Sequence, residues 1–192
     1  MRLATIQDKE KVIDIISAAF DDNPRVNWVV KQDHKRLQRI RELIRYAFET
    51  AFPRNGVMIS SNEKAVAVCY RMNLKSNSIY DYYIKLRLGF KGMSPERIFW
   101  VMKRQSAISA QRPRDGNYFY FWFLAVEKEE RGGRAGWELS HHIFDLARKD
   151  DIPIYAETSD ERTCRIYQRV GFSLYNSFEK YGIKINQLIW KP

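Results

Sequence analysis

The sequence predicts a mixed α/β chain folded as one domain, and three observations predict it. Apolar residues recur at helical spacing near the N-terminus, around 37–51 and around 139–147. A continuous aromatic and β-branched run spans Tyr118–Val126. Short β-rich pairs flank turns at 61–63 and 179–182. The order is helix–hairpin–helix–strand–helix–strand–helix–hairpin, which builds one mixed layer structure. At 192 residues and 22.9 kDa the length suits a single domain over 1–192. Hydrophobic residues at 45% exclude disorder as the main state, and 9 Gly with 6 Pro exclude collagen-like and low-complexity chains.

Thr5 and Asp8 form a capping pattern, and Val12, Ile15, Ile16, Ala19 and Phe20 then share one helix face. Asp21–Pro24 stops that helix. A second helix starts near Asp33, with Leu37, Ile40, Ile44, Ala47, Phe48 and Ala51 as its apolar stripe. Lys31, Lys35, Arg36, Arg39, Arg41 and Arg45 decorate its other faces, either as a solvated surface or as an anion-binding patch. Val57–Ser60 and Ala65–Arg71 form a hairpin about Ser61–Glu63. Residues 77–111 read as helical with a break at Gly89–Gly92, Ser94 as a cap and Pro95 in the first turn. Tyr118–Val126 is a buried central strand, 136–149 a helix with Leu139, Ile143, Leu146 and Ala147 inward, and Ile152–Ala156 a short buried strand. Arg162–Val170 is a short helix closed by Gly171, and Phe172–Phe178 with Ile183–Trp190 is a final hairpin.

The longest apolar run, Tyr118–Val126, falls far short of the roughly 18 residues of a membrane span. The opening MRLATIQDKEKV lacks the apolar core of a signal peptide, so a cytoplasmic protein is expected. The two cysteines, Cys69 and Cys164, read as reduced, buried thiols. Net charge is +10, with +7 in residues 1–100 and +3 in 101–192. That excess favours anionic ligands such as nucleic acid, lipid head groups or a phosphorylated cofactor.

The chemistry concentrates in two segments. Glu127–Gly136, EKEERGGRAG, joins the central strand to a helix. A glycine-bearing loop there aims backbone N–H groups at one point, and the helix N-terminus adds partial positive charge. Arg131 and Arg134 add charge-assisted hydrogen bonds suited to a pyrophosphate. The loop is neither a G-x-G-x-x-G fingerprint nor a Walker A loop. The second segment is IYAETSDERTCRIYQRVGF, Ile154–Phe172. His141 and Asp145 form an H-x-x-x-D spacing that reads as a helix-surface pair, and with only 3 histidines no metal site is expected.

Together these segments resemble the GNAT superfamily of acyl-CoA-dependent N-acyltransferases over residues 117–178. RGGRAG, Arg131–Gly136, sits where that family has [RQ]-x-x-G-x-[GA]. Asp160, Thr163, Tyr167, Gly171 and Phe172 sit in its later N-x-x-A-x-x-x-Y-x-x-x-G-F motif. Leu124-Ala125-Val126 resembles its strand-to-loop passage. Two positions depart from the pattern. Arg134 replaces the first loop glycine, bringing a Cβ into the turn unless Gly133 shifts the register, and Asp160 replaces an asparagine and can accept but not donate.

The resemblance implies a mostly antiparallel mixed sheet with splayed central strands flanked by helices. It further implies an acceptor-side half over 1–116 and an acyl-CoA half over 117–192. Acetyl-CoA, the expected co-substrate, would lie between strands ending near Val126 and Glu157. Main-chain groups of Leu124, Ala125 and Val126 would hold the pantetheine, and Asp160 and Thr163 would flank it. Arg131, Gly132, Gly133, Arg134, Ala135, Gly136 and Trp137 would hold the pyrophosphate. An N–H near Val126 would polarise the thioester carbonyl. Tyr167 would protonate the leaving thiolate, which its ordinary pKa of about 10 suits. Glu157 is the candidate base for the amine, with a salt bridge to Arg162 or Arg165 as its alternative role. The partner is a small-molecule or protein amine, with no membrane or nucleic-acid partner expected and a monomer or homodimer as the active form. Two other readings stand beside this one: a non-catalytic CoA-binding member, motivated by Arg134 and Asp160, and a basic nucleic-acid-interacting module, motivated by the first half's charge.

Overall fold

The run expected as a central strand forms the middle of a seven-stranded sheet. The computed structural model describes residues 1–74, 78–93 and 95–192. The strands are β1 (Arg2–Leu3), β2 (Val57–Ile59), β3 (Ala65–Arg71), β4 (Phe119–Val126), β5 (Ile154–Thr158), β6 (Ser173–Lys180) and β7 (Ile183–Trp190), ordered β1-β2-β3-β4-β5-β7-β6. Neighbours pair antiparallel except β4 with β5, which run parallel. The mixed, mostly antiparallel sheet is the one the motifs imply.

Alternation along the strands sorts the core into two layers. On one face α1 (Lys9–Ala19), α2 (Pro24–Val29) and α3 (Arg36–Ala51) pack Val12, Ile16, Ile44 and Phe48 against Val66, Val68, Tyr70 and Tyr120. On the other, α6 (Arg134–Asp150) and α7 (Glu161–Arg169) set Leu139, Ile143, Ala147 and Cys164 against Cys69, Phe121 and Ile154. Between β3 and β4 the chain makes α4 (Ser78–Arg87), a π-turn over Leu88–Gly92 and α5 (Pro95–Ser109). Gln187 Nε2 donates to the Ile108 carbonyl at 3.0 Å, and Gln187 shares a face with Ile189, so α5 lies on the α1–α3 side. Among the described residues no helix is long and apolar enough to cross a membrane.

Several boundaries differ from expectation for local reasons. α1 already ends at Ala19, and Pro24 instead begins another helix. Asn23 Oδ1 accepts from the Arg25 and Val26 amides at 3.0 and 3.3 Å, so α2 starts where a stop was read. Leu37, expected inward, is 62% exposed, and Leu43 takes the inner position further along α3. β5 starts two residues late because Asp151, at φ 53°, turns the chain out of α6 before Ile152 can join a ladder. The expected cap Ser94 lies outside the described residues. The basic cluster on α3 is largely matched within the fold: Arg36 pairs with Asp21 at 2.7 Å, Arg39 with Asp33 at 3.0 Å, Arg45 with Glu10 at 2.7 Å, and Arg41 with Asp14.

Gly171 closes α7 at φ 101°, and a Cβ added there would lie 3.1 Å from Trp190 Nε1. Both the left-handed backbone and the indole contact oppose a side chain. Gly171→Ala is expected to lower unfolding stability by about 1–3 kcal/mol in urea denaturation; an unchanged midpoint would mean the helix end rearranges freely.

Candidate active site

β4 and β5 do not run together. They pair only at Phe119↔Ile154, Tyr120↔Tyr155 and Phe121↔Ala156. The reason lies on the other edge of β4. Val68 pairs with Phe123 and Cys69 with Phe121, so Trp122 is an extra residue, a bulge. A bulge bends its strand and adds twist, here at the point where pairing to β5 stops. The Trp122 ring is fixed by Tyr46, Tyr70 and Tyr120 at 5.9, 6.3 and 5.7 Å. Past it, β4 stays paired to β3 through Leu124, Ala125 and Val126, while β5 stays paired to β7 through Glu157 and Thr158. A gap opens between the two strands.

The loop after Val126 makes a 3₁₀ turn, Lys128–Glu130, and then enters α6 through Gly132 at φ 85° and Gly133 as N-cap. The Gly133 amide donates to Glu130 O at 3.0 Å, and a Cβ at Gly133 would meet that same oxygen at 3.0 Å. The tight approach thus falls one residue before the position the family pattern assigns. Arg134 is the first helical residue and is exposed, so its side chain leaves the turn outward. No side chain caps this helix, and the amides of Arg134, Ala135 and Gly136 have no intrahelical acceptor. Arg131 and the glycines around it are exposed, and Ala135 packs inward. Trp137 stacks on His141 at 3.8 Å. Asp145 pairs with Arg148 at 2.9 Å, which leaves the H-x-x-x-D spacing as helix surface.

α7 follows β5 directly. Asp160 is its N-cap and accepts from Thr163 N and Thr163 Oγ1 at 2.7 and 2.6 Å. Those bonds hold the Asp160 carboxyl below its ordinary pKa. The carboxylate therefore serves the helix, which an asparagine would do equally well. Near it, Ser159 Oγ and Asn186 Nδ2 are buried without a hydrogen-bond partner among the described residues. Tyr167 packs its ring on Phe121 at 6.0 Å and Phe172 at 5.0 Å. Burial pushes its phenol well above the usual range, with Cys69 adding to the rise. The charges of Arg25 and Glu157, from the α1–α3 side, also reach this hydroxyl.

Glu157 stands just past the last β4–β5 pair, its side chain 1% exposed. Its partner is neither Arg162 nor Arg165. Arg112, 2% exposed, forms a close ion pair with Oε1, and Tyr120 Oη donates to Oε2 at 3.0 Å. Arg25 Nη1 donates to the Glu157 carbonyl at 2.8 Å, and Arg25 Nη2 lies 4.0 Å from Oε2. The Arg112 guanidinium also stacks on Tyr120 at 4.2 Å. The gap thus brings together Leu124–Val126, the loop at 131–137, Tyr167 and Glu157, while Asp160 and Thr163 are turned to capping α7. Sequence reading missed Arg25, Arg104, Arg112 and Tyr120. Arg104 and Ile108 stand one turn apart on α5, so an arginine on its buried stripe was the available signal for Arg104, while Arg112 lies past the end of that helix. Arg25 had none.

Among the described residues no group of three or more His, Cys, Asp or Glu could hold a metal ion. An open cavity of about 340 Å³ between Lys9, Phe48, Glu49 and Tyr80 lies over α3 and away from the gap.

No protein-family model matches the chain. Solved structures do. A Corynebacterium glutamicum protein described as histone acetyltransferase HPA2 and related acetyltransferase superposes with TM-score 0.69 at 22% identity, covering 100% of this chain and 94% of that one. The C-terminal condensation domain of Ebony, in complex with β-alanyl-dopamine, gives 0.65 at 10%, covering 100% and 96%. The Drosophila melanogaster polyamine N-acetyltransferase, described as forming N-acetylagmatine, gives 0.65 at 12%, covering 100% and 98%. The chain has the fold of the GNAT acetyltransferases.

Arg112→Met strands a buried carboxylate and is expected to cost about 3–5 kcal/mol, while Arg112→Met/Glu157→Leu recovers most of that loss. Urea denaturation of both checks it, and a single variant as stable as the wild type would mean that the pair is not buried. Asp160→Ala is expected to cost about 1 kcal/mol at neutral pH. Because the folded carboxyl titrates below its unfolded value, that difference is present above the ordinary carboxylate range and fades as pH falls through the depressed folded pKa.

Proposed function

We propose that the chain is an N-acyltransferase that moves an acetyl group from acetyl-CoA to an amine by direct attack in a ternary complex. The observation that carries this reading is the parting of β4 and β5 after Phe121, with the uncapped N-terminus of α6 following one strand and Tyr167 packed on Phe121, the last paired residue. The fold's likeness to acetyltransferases supports it. The residues present suit the co-substrate: β4 lacks a β5 partner past Phe121, the first amides of α6 await an acceptor, and buried Ser159 and Asn186 atoms await partners.

Acetyl-CoA supplies an activated acetyl thioester when bound. Main-chain groups of Leu124, Ala125 and Val126 would pair with its pantetheine amides as an added strand would. The turn Arg131–Trp137 would hold the pyrophosphate on the Arg134, Ala135 and Gly136 amides, with the Arg131 and Arg134 side chains adding charge. An N–H near Val126 donates to the acetyl carbonyl oxygen, where negative charge grows as the amine adds. Tyr167 gives its hydroxyl proton to the departing sulfur, and its raised pKa keeps that proton in place at neutral pH. Both Glu157 oxygens are already engaged by Arg112 and Tyr120, so the amine's proton travels to Glu157 through water. Asp160 and Thr163 fix the start of α7, and with it Tyr167.

Calorimetry with acetyl-CoA and thiol release across an amine panel test the reading. Tyr167→Phe is expected to bind acetyl-CoA like the wild type and to lose about 100-fold or more in kcat. No acetyl-CoA binding at millimolar ligand would remove the proposal, and full turnover by Tyr167→Phe would remove the role given to the phenol.

A further inference from the structure

On the α1–α3 side of the gap the guanidiniums of Arg25 and Arg112 share the Glu157 carboxylate, and the guanidinium of Arg104 lies within reach of the Arg25 charge. Arg112 takes Glu157 as its close partner, and Arg25 reaches it only at 4.0 Å. Arg104 pairs with no carboxylate among the described residues. It is 5% exposed, and its Nη1 is buried without a hydrogen-bond partner. Its guanidinium carbon lies 3.9 Å from the Trp28 ring centroid, so the indole face partly compensates the charge. Burial and the nearby Arg25 charge bring Arg104 down to about 10. A buried cation with an unmade hydrogen bond is costly, and a bound anion would complete it.

The surroundings have the form of a ligand site. α2 sets Arg25 and Trp28 three residues apart on one face, and α5 brings Arg104 to them on the same stripe as Ile108, which Gln187 ties to β7. The Trp28 ring also lines an open cavity of about 310 Å³ with Arg97, Trp100 and Tyr181. Tyr181 stacks on Trp28 at 5.7 Å, and Trp100 meets Tyr181 edge-on at 5.1 Å. Arg97 donates to the Trp28 carbonyl and holds α5 against α2.

We infer that Arg25 and Arg104 form the subsite for a carboxylate carried by the acyl acceptor, which is a small amine with an anionic end and an apolar body in the cavity lined by Trp28, Trp100 and Tyr181. The term acceptor rests on the acyltransferase reading; the anion subsite itself does not. A guanidinium binds a carboxylate through two parallel hydrogen bonds, supplying the partner that Nη1 lacks. Arg25 also donates to the Glu157 carbonyl at 2.8 Å, so a carboxylate held at Arg25 and Arg104 lies beside the part of β5 that borders the gap. A purely cationic amine meets an excess of positive charge there.

Calorimetric titration of the CoA-free protein with phenylacetate, phenylphosphonate and phenylethylamine tests the subsite without any turnover. Phenylacetate is expected to bind, phenylethylamine not to. Arg104→Met is expected to weaken phenylacetate about 30-fold or more. It is also expected to melt no lower than the wild type, since it removes an unpaired buried charge. Equal binding of acid and amine, unchanged phenylacetate affinity in Arg104→Met, or a large fall in its melting point would overturn the inference. Phosphonate binding far more tightly than carboxylate would overturn its assignment to a carboxylate. Thiol release from acetyl-CoA with L-phenylalanine against phenylethylamine separates the two proposals. Turnover of both without preference sinks the carboxylate acceptor and leaves the acyltransferase. Phenylacetate binding with no turnover of any amine leaves the subsite and sinks the enzyme reading.

Discussion

At Trp122 the chain carries one residue more than β3 can match, and the sheet responds by letting β4 bend away from β5. Parallel strands normally satisfy each other's main chain along their whole length. Here each is secured on its outer edge only, β4 by β3 and β5 by β7, so parting them leaves the rest of the sheet intact. The bulged indole is wedged among three tyrosines, which keeps the extra residue from being absorbed by a register slip. Every feature of the candidate site is placed by this divergence. The loop to α6 leaves the end of one strand, α7 leaves the end of the other, and Glu157 sits one residue past the last shared pair.

The two sides of the gap differ in electrostatic character. The α6 side offers main-chain dipoles: an uncapped helix N-terminus of seventeen residues entered through two glycines, with exposed arginines at its rim. These suit a flexible, heavily charged ligand held mostly through its backbone contacts. The α1–α3 side offers fixed side-chain charge in a buried setting, with Arg112, Glu157 and Tyr120 locked together and Arg25 and Arg104 left with positive charge to spare. Buried ion pairs are poor sources of stability and good sources of geometry. This cluster ties β5, β4 and the segment after α5 to one another at the mouth of the gap, where small displacements would matter most.

The segment between β3 and β4 deepens that asymmetry. α4 and the π-turn pack on α3, Arg97 holds α5 against α2, and Arg104 on α5 and Arg112 just past it are buried on that side of the sheet. On α3 the basic cluster is answered within the fold, where Asp21, Asp33, Asp14 and Glu10 pair with four arginines. The overall charge is therefore a weak guide to ligands. What distinguishes Arg104 and Arg112 is that they are buried and that, among the described residues, Glu157 is the one carboxylate paired with either.

Local signals in the sequence determined most of the elements: the capped first helix, the hairpins, the aromatic central strand, the glycine loop and Tyr167 one helix beyond it. They could do so because capping, alternation and helical spacing act over a few residues. The start of α2 at Pro24 and the late start of β5 turned on local devices, the Asn23 cap and the left-handed Asp151, while the outward Leu37 depends on which face of α3 meets the core. Only the tertiary structure decided that Gly133 rather than position 134 makes the tight turn, that Asp160 spends its carboxylate on Thr163, and that Glu157 belongs to Arg112. The turn and the cap each span three residues, but the pairings of Glu157 join residues far apart in the chain, 45 positions for Arg112 and 132 for Arg25. No pattern of spacing records which distant charges meet, because burial and the path of the strands set their distance.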